Sequence, residues 1–248
     1  MRLATTWMVA LVLALAGCSR SAAPAEPARE QAPAVRVEVW HDTVCPWCRI
    51  GLHNLETVLA SWDGPRIEVV HKAYLLEPNM PPEGVDMHAH MARKMGGEER
   101  VAAAHARVTE AGARHGVRFD FGKMTRSPAT APSHALVDWA PPEKRGAVIA
   151  GIHRAHFEEG RYIGDAEVLA SVAADAGLDP AAARAAVTDP ARLARVREEA
   201  ASGAQAGVRG VPHFVIGGQV LRGAQPPEAI RQALLDATAS TNEKKEIP

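Results

Sequence analysis

The chain has 248 residues, of which 47% are hydrophobic, enough to form a sizeable buried core. Its 28 basic and 29 acidic residues give a formal net charge of −1 without a basic stripe, so we expect no nucleic-acid partner. Aromatic residues make up only 4% of the chain and alanine is abundant, which favours helices over an all-β sandwich. The sequence has no apolar run of about 20 residues, which excludes a protein that crosses a membrane several times.

Residues 1–17 have the pattern of an export signal. Arg2 supplies a positive charge, and residues 7–15 form an apolar stretch that is too short to span a bilayer. This stretch ends in L-A-G-C at Cys18, which resembles the signal box of bacterial lipoproteins. The resemblance implies cleavage before Cys18 and lipidation of that residue; an ordinary signal peptide with an incidental cysteine is the alternative.

Residues 18–34 are predicted to be a lipidated cysteine followed by a flexible tether. The segment contains three prolines with serine, alanine and glutamate, and its apolar residues follow no regular period. We therefore expect an exported protein that is anchored through Cys18 to a membrane of the cell envelope. It would face the periplasm or extracytoplasmic space, where disulfides persist.

The two remaining cysteines lie between a predicted strand and a predicted helix. Valines alternate with other residues over 35–39, which indicates a strand, and apolar residues recur at helical spacing over 50–62. Between them, the sequence C-P-W-C begins at Cys45 and ends at Cys48. Because Pro46 suits the first position of a helix, Cys45 is predicted at the N-cap, where the helix dipole stabilises a thiolate.

The later elements complete an interrupted α/β pattern. A second strand is predicted over 67–74, a β-hairpin over 211–221 with its turn at Gly217-Gly218, and a closing helix over 227–238. The order predicts a thioredoxin-type core with residues 35–84 in its first half and 207–240 in its second, followed by a polar tail at 241–248. An all-helical insertion would occupy residues 85–206, with candidate helices at 85–95, 98–115, 131–139, 143–159, 165–176 and 190–206.

Five stretches in this order carry a family resemblance. They are D-T-V-C-P-W-C-R-I-G (42–51), L-E-P-N-M-P-P-E-G (76–84), F-E-E-G-R-Y-I-G-D-A-E-V-L-A (157–170), G-V-R-G-V-P-H-F-V-I (207–216) and R-G-A-Q (222–225). Through them the chain resembles the DsbA-like branch of the thioredoxin superfamily, more narrowly its FrnE-type members. The resemblance implies a thioredoxin fold with a large helical insertion and a thiol-disulfide oxidoreductase activity.

The resemblance also implies the main site residues. Cys45 matches the attacking cysteine and Cys48 the resolving one, so the two would form a redox disulfide. Pro212 matches the family's cis-proline, held opposite the cysteine pair. The backbone near Val211 would then be free to pair with an extended substrate segment.

Asp42, Pro46, Trp47 and His213 are predicted to support the cysteine pair. Asp42 matches an acid that moves protons for Cys48, although a role in capping a turn fits it nearly as well. Trp47 carries no charge, so we expect a Cys45 pKa below the free value of about 8.5 but above the value of about 3.5 found in DsbA itself. His213 departs from the threonine or aromatic residue usual after the cis-proline, and it would lower the Cys45 pKa if it were protonated and faced that thiol.

The expected partners are cysteine-containing exported polypeptides and a membrane redox partner that resets the disulfide. The reaction needs neither an organic cofactor nor a metal. Two alternatives stay open: a glutathione-dependent isomerase or transferase that acts on a small molecule, and a redox-independent chaperone or binding module. The sequence leaves the direction of disulfide exchange open as well.

Metal-binding interpretations are less favoured. Zinc at Cys45 and Cys48 would need two further ligands at suitable spacing. Met87, Met91 and Met95 lie near two histidines and suit Cu(I), but their spacing of four residues is typical of a buried helical stripe. The remaining histidines are expected to be surface residues or core residues with satisfied hydrogen bonds; they include His71, His105, His153 and His156.

Overall fold

The computed structural model describes the backbone of residues 35–243 and the side chains of residues 35–240. The predicted signal, lipidated cysteine and tether lie outside these residues. The predicted tail lies outside them only in part, because residues 241–243 continue the last helix.

A four-stranded mixed sheet forms the centre of the fold, in the order β2 (Ile67–Ala73), β1 (Val35–His41), β5 (His213–Ile216) and β6 (Gln219–Arg222). The parallel pairing of β1 with β2 aligns Val39 with His71, and the antiparallel pairing of β1 with β5 aligns Trp40 with His213. The predicted hairpin turn is confirmed, since Gly217 and Gly218 have φ angles of 57° and 93° and join β5 to β6. Outside this sheet, β3 (Val85–Asp86) pairs with β4 (Arg126–Ser127) in a separate two-stranded ladder.

The predicted helices of the insertion are confirmed to within a few residues at each end, and one further helix is present. The insertion is not all-helical as predicted, because the short β3–β4 ladder lies within it. The helix at residues 180–188 was not predicted from the sequence, because its apolar residues are nearly all alanines and give little periodic contrast. Its start signal is nevertheless clear, since Asp179 accepts a hydrogen bond from the backbone of Ala181. The helices are α1 (Pro46–Ala60), α2 (Met87–Met95), α3 (Glu98–Ala113), α4 (Ala131–Trp139), α5 (Pro142–Phe157), α6 (Ala166–Asp175), α7 (Pro180–Thr188), α8 (Pro190–Gln205) and α9 (Pro227–Glu243).

The core is continuous between the sheet and the helices. Val37 and Val39 of β1 are fully buried in a cluster with residues of α1, α4, α5, α6 and α9. On the other face of β1, Trp40 lies directly against Gly203 of α8, where a side chain would approach the Trp40 ring to 2.9 Å. Helices therefore cover both faces of the central strand, which is the layered arrangement that an α/β sheet requires.

A buried arginine joins the first helix to the insertion. Arg49 follows Cys48 directly, and its guanidinium donates hydrogen bonds to the His153 carbonyl at 2.7 Å and to the Glu158 carboxylate. The same guanidinium lies 5.2 Å from the centre of the Phe119 ring. Since a buried cation is costly without partners, these contacts fix α1 against the end of α5.

Among the described residues, none of the helices combines the length and apolar character needed to cross a bilayer.

Candidate active site

The two cysteines lie at the start of α1, as the sequence predicts. Cys45 is the N-cap with an extended backbone, and Pro46 occupies the first helical turn, where its missing N–H leaves no partner unsatisfied. Both residues are free thiols, with Cys45 6% exposed and Cys48 fully buried. Cys45 is therefore the thiol that an incoming molecule can reach.

The surroundings shift the pKa values of the two thiols in opposite directions. A hydrogen bond from the Cys48 side chain lowers the pKa of Cys45 against the opposing effect of burial, and the backbone N–H groups of Cys48 and Trp47 lower it further. Burial raises the pKa of Cys48 well above its usual value, and the hydrogen bond to Cys45 adds to this. Cys45 is thus suited to be a thiolate while Cys48 keeps its proton.

The loop before β5 lies against this helix start. The Val211–Pro212 peptide bond is cis, and the Cys45 thiol donates to the Val211 carbonyl at 3.7 Å. A side chain at Gly51 would come within 2.9 Å of the Pro212 ring, so only glycine lets α1 pack this closely. The backbone N–H of Gly223 donates to the Pro212 carbonyl at 2.8 Å. The structure therefore brings Cys45, Val211 and Pro212 together.

Asp42 is a fully buried acid just before the cysteine motif. One carboxylate oxygen accepts a 2.7 Å hydrogen bond from the backbone of Leu76, and the other lies 3.5 Å from the backbone nitrogen of Val44. This is the turn-capping role that the sequence left open. The Asp42 charge also raises the pKa values of both Cys45 and Cys48, so the carboxylate acts electrostatically on the thiols.

Trp47 and His213 differ in what they can do to the cysteines. Trp47 is half-buried, and the guanidinium of Arg107 lies 5.8 Å from the centre of its ring. His213 is buried at the start of β5, and burial followed by the Arg222 charge lowers its pKa. His213 is therefore neutral at pH 7, and the protonated form required for an effect on Cys45 is not the prevailing one.

A cavity of about 260 Å³ opens beside Pro46 and Trp47. Seven methionines occur in the chain, and all five that follow residue 79 line this space, which we call the methionine cavity. Met87 and Met124 are buried, so the prediction of a buried methionine stripe on α2 is confirmed at Met87. Met91 is half-buried and packs against the cluster that contains Met87, and Met95 is half-buried. The five are Met80, Met87, Met91, Met95 and Met124.

Close to Asp42 lies a group of histidines that are far apart in the sequence. Their predicted role as surface or satisfied residues is wrong for those in the core, because several are buried with ring nitrogens that have no hydrogen-bond partner among residues 35–240. Three of them line a second cavity of about 300 Å³, which we call the histidine chamber. These three are His41, His71 and His134.

Metal ligands are not assembled in the part of the chain that the structure describes. No three histidine, cysteine, aspartate or glutamate side chains there converge in a way that could hold an ion. The histidine rings pack on one another instead, with centroids 5.2 Å apart for His41 and His134.

Comparison with known proteins places this site in a family. A model of the DSBA-like thioredoxin domain matches residues 36–235. The chain belongs to this family. The crystal structure of a probable DsbA oxidoreductase from Streptomyces coelicolor is 32% identical, covers 83% of this chain and 90% of its own, and superimposes with a TM-score of 0.71.

Two further relatives are more distant. The uncharacterized protein YwbO of Bacillus subtilis is 24% identical over 205 residues, which are 82% of this chain and 96% of that protein. The cytosolic disulfide reductase DsbM from Pseudomonas aeruginosa, in a structure with GSH, is 21% identical with a TM-score of 0.56, covering 86% of this chain and 100% of its own. At this identity DsbM shows the fold alone. The DsbA-like thioredoxin fold with a helical insertion is thus confirmed.

Proposed function

We propose that the protein is a thiol-disulfide oxidoreductase of the cell envelope that exchanges disulfides with exported polypeptides. The observation that carries this proposal is the asymmetry of the two thiols. Cys45, at the helix N-cap, has a lowered pKa and some exposure, whereas Cys48 is fully buried with a raised pKa. The thiolate with the greater access to solvent attacks a disulfide, and a fully buried thiol one helical turn away is placed to resolve the product.

The exchange proceeds through a mixed disulfide between Cys45 and the substrate. When the protein acts as reductant, the Cys45 thiolate attacks one sulfur of the substrate disulfide and the other sulfur leaves as a thiolate. Cys48 then loses its proton and attacks the Cys45 sulfur, so that the Cys45–Cys48 bond forms and the substrate departs with both of its sulfurs reduced. As an oxidant the protein runs the same steps in reverse.

The surface around Cys45 suits an extended polypeptide. The Val211 carbonyl lies 3.7 Å from the Cys45 sulfur and becomes available to a substrate N–H once that thiol reacts. The methionine cavity adjoins Pro46 and Trp47 and offers thioether side chains, which adapt to apolar groups of different shapes. We therefore place the apolar residues that flank a substrate cysteine in this cavity.

The envelope location rests on residues 1–34. Lipidation at Cys18 would hold the domain on a membrane through the following tether, in a compartment where exported proteins form disulfides. Replacing Cys18 with alanine should release a folded, redox-active protein into the soluble fraction of fractionated cells. Continued membrane association of this variant would show that the anchor lies elsewhere.

Trapping of mixed disulfides tests the proposed roles of the cysteines. We expect Cys48→Ala to accumulate covalent complexes with exported polypeptides through Cys45, because attack proceeds and resolution does not. Cys45→Ala, the matched control, should accumulate few. Equal trapping by the two variants, measured on non-reducing gels, would contradict the assignment.

The direction of exchange is set by the redox potential of the Cys45–Cys48 pair. Equilibration of the purified protein with graded ratios of reduced and oxidised glutathione measures this potential directly. We expect a couple more reducing than the value of about −120 mV for DsbA itself, because an uncharged Trp47 gives Cys45 little thiolate stabilisation.

A further inference from the structure

The histidines of the histidine chamber are unusual because they carry buried ring nitrogens without hydrogen-bond partners among the described residues; His41 and His134 are buried, and His71 is half-buried. Both ring nitrogens of His41 lack a partner among the described residues, as do Nδ1 of His71 and Nε2 of His134. An unpaired buried polar atom costs about 1–3 kcal/mol, so a group of them in one place requires an explanation beyond packing.

These rings form a continuous series that starts at the active site. Nε2 of His134 lies 3.6 Å from the Asp42 carboxylate, at a buried contact. The His134 ring centroid lies 5.2 Å from that of His41, and the His41 centroid lies 5.4 Å from that of His71. A small rotation of a ring or a single bridging water closes gaps of this size.

The series leads away from the substrate side. His41, His71 and His134 line the histidine chamber, whose other walls include the charged and partly exposed side chains of Lys72 and Glu199. The histidine chamber and the methionine cavity have no lining residue in common. Asp42 borders the methionine cavity, but it has no exposed surface, and a polypeptide bound there would cover it.

We propose that His134, His41 and His71 form a proton path that connects Asp42, behind Cys48, to solvent through the histidine chamber. The proposal deepens the proposed function and rests on it, since it concerns the proton that Cys48 must lose or gain. The three histidines are positioning residues that act through Asp42, and they do not touch the reacting sulfurs.

Each step of the path is balanced in protons and electrons. During resolution the Cys48 thiol transfers its proton to Asp42, and the resulting thiolate attacks Cys45 while the substrate leaves as a thiolate. The electron pair of the broken bond stays on the departing sulfur, so no external oxidant is involved. Asp42 passes the proton to His134, which releases its own proton from the other ring nitrogen toward His41 and His71. When the pair oxidises a substrate, the proton travels inward to the Cys48 thiolate.

The protonation state of the rings supports this role. Burial lowers the pKa of His41 well below its usual value and that of His71 to about 4. At pH 7 both rings are therefore neutral, and a neutral imidazole accepts a proton at one nitrogen and donates one from the other. A permanently protonated ring could only donate.

The test isolates the resolution step with a coloured leaving group. The Cys45 thiol is converted to its mixed disulfide with thionitrobenzoate, and release of the free thionitrobenzoate is followed in a single turnover at pH 7. We expect His134→Ala to slow this release by about tenfold or more, since acid–base groups contribute about 10²- to 10⁴-fold to proton-transfer steps.

Chemical rescue separates proton transfer from a merely structural role. Added imidazole can enter the space left by His134→Ala through the histidine chamber, and we expect it to restore release in a saturable manner. N-methylimidazole should restore little, because its neutral form cannot both accept and donate a proton. The proposal would be overturned if His134→Ala released thionitrobenzoate at a rate within twofold of wild type, or if imidazole and N-methylimidazole restored release equally.

His41→Gln tests the proton path if His134→Ala does not fold. His41→Gln keeps a polar side chain one step further from Asp42, and we expect slower release with an unchanged rate of Cys45 alkylation. His115→Gln, at a half-buried histidine near the end of α3, serves as the matched control and should release as wild type does. Unchanged release in a folded His41→Gln variant also overturns the path.

Release of thionitrobenzoate from Cys48→Ala distinguishes failure of the proton path from failure of the proposed cysteine roles. If Cys48→Ala releases thionitrobenzoate as fast as wild type, the roles assigned to the cysteines are wrong. If Cys48→Ala retains it while both histidine variants behave as wild type, the cysteine roles stand and only the proton path fails.

Discussion

The methionine cavity and the histidine chamber lie on either side of the active-site acid and differ in the side chains that are most frequent in their walls. The first adjoins Trp47, on the Cys45 side of the motif, and five thioethers line it together with histidines and charged side chains such as Glu77 and Lys94. The second is lined by titratable rings and by surface charges such as Lys72 and Glu199. This difference fits a cysteine pair that contacts its substrate on the side of the methionine cavity and exchanges protons on the side of the histidine chamber.

The largest expected effect is a loss of stability in acid that arises from four histidines, of which His41 and His71 line the histidine chamber and His156 lines the methionine cavity. Burial lowers the pKa of His71 and of His156 to about 4, and lowers those of His41 and His153 well below the usual value. Below pH 6.5 the unfolded chain binds protons that the folded protein does not, so stability is full above that pH and is lost as the pH falls toward 4. Each of the two quantified groups removes up to about 3 kcal/mol at pH 4.

Urea unfolding at a series of pH values between 7 and 4 measures this loss. His71→Gln should lower by about one the number of protons taken up on unfolding, which sets the slope of the unfolding free energy against pH. His88→Gln, at an exposed histidine, is the matched control and should keep the wild-type slope. A dependence that is the same in wild type and His71→Gln would show that this ring does not resist protonation in the folded protein.

The next largest effect is expected at the acid between the two cavities. Asp42→Asn keeps an oxygen that can accept from Leu76, but it removes the proton acceptor for Cys48, so resolution of a mixed disulfide should slow by about 100-fold. Because the Asp42 charge raises the pKa of Cys45, attack by Cys45 should become slightly faster. Stopped-flow measurement of both steps checks these opposite signs.

Asp120→Asn, at a half-buried acid away from the motif, is the matched control and should change neither step. Parallel slowing of attack and resolution in Asp42→Asn would indicate damage to the fold and would remove the proton-acceptor assignment.

A smaller effect is expected on the methionine side, at Trp47. Trp47→His places an ionisable ring near Cys45, and we expect the pKa of that thiol to fall by about one unit, which corresponds to about 1.4 kcal/mol. Thiolate absorbance as a function of pH measures the change. His213→Thr should move this pKa very little, because His213 is neutral; a larger effect at residue 213 than at residue 47 would reverse our ranking of the two positions.

The smallest effect concerns polypeptide binding in the methionine cavity. Met91→Gln exchanges a thioether for an amide of similar size, and we expect the KM for a reduced, unfolded polypeptide to rise by about fivefold, or about 1 kcal/mol. Release of thionitrobenzoate should not change, because that step needs no polypeptide contact. Met91→Leu should retain the wild-type KM, and an equal rise in both variants would argue against an apolar contact.

Local patterns predicted the elements and the cysteine positions because those signals lie within a few residues. The alternating valines of 35–39 and the proline after Cys45 determine a strand and a helix start without long-range information. α7 was missed, since a run of alanines gives little contrast between faces, and so were β3 and β4, which are only two residues long each. The cis bond before Pro212 was predicted only from the family resemblance, because the residues themselves do not indicate it.

The two cavities could not be predicted in the same way. The methionines of α2 have the spacing of a buried stripe, yet they line an open space whose walls also include Ala104 and Val108 of α3. Spacing along α2 does not show that α3 leaves this space open. His41, His71 and His134 come from β1, β2 and α4, and no spacing in the sequence joins them. A signal was present nonetheless, since His134 is the one titratable residue in the segment 131–137, whose other members are uncharged.

Arg49 has a consequence for the order in which the chain can assemble. Arg49, directly after the redox motif, has its hydrogen-bond partners at residues 153 and 158. The strand β5, which pairs with β1 on the hairpin side, begins only at residue 213. An emerging chain that ends before those residues can form α1 but cannot bury its cation or complete its central strand pairing. The helical insertion is therefore not a removable module, and a shortened thioredoxin core cut from this chain would leave Arg49 unpaired.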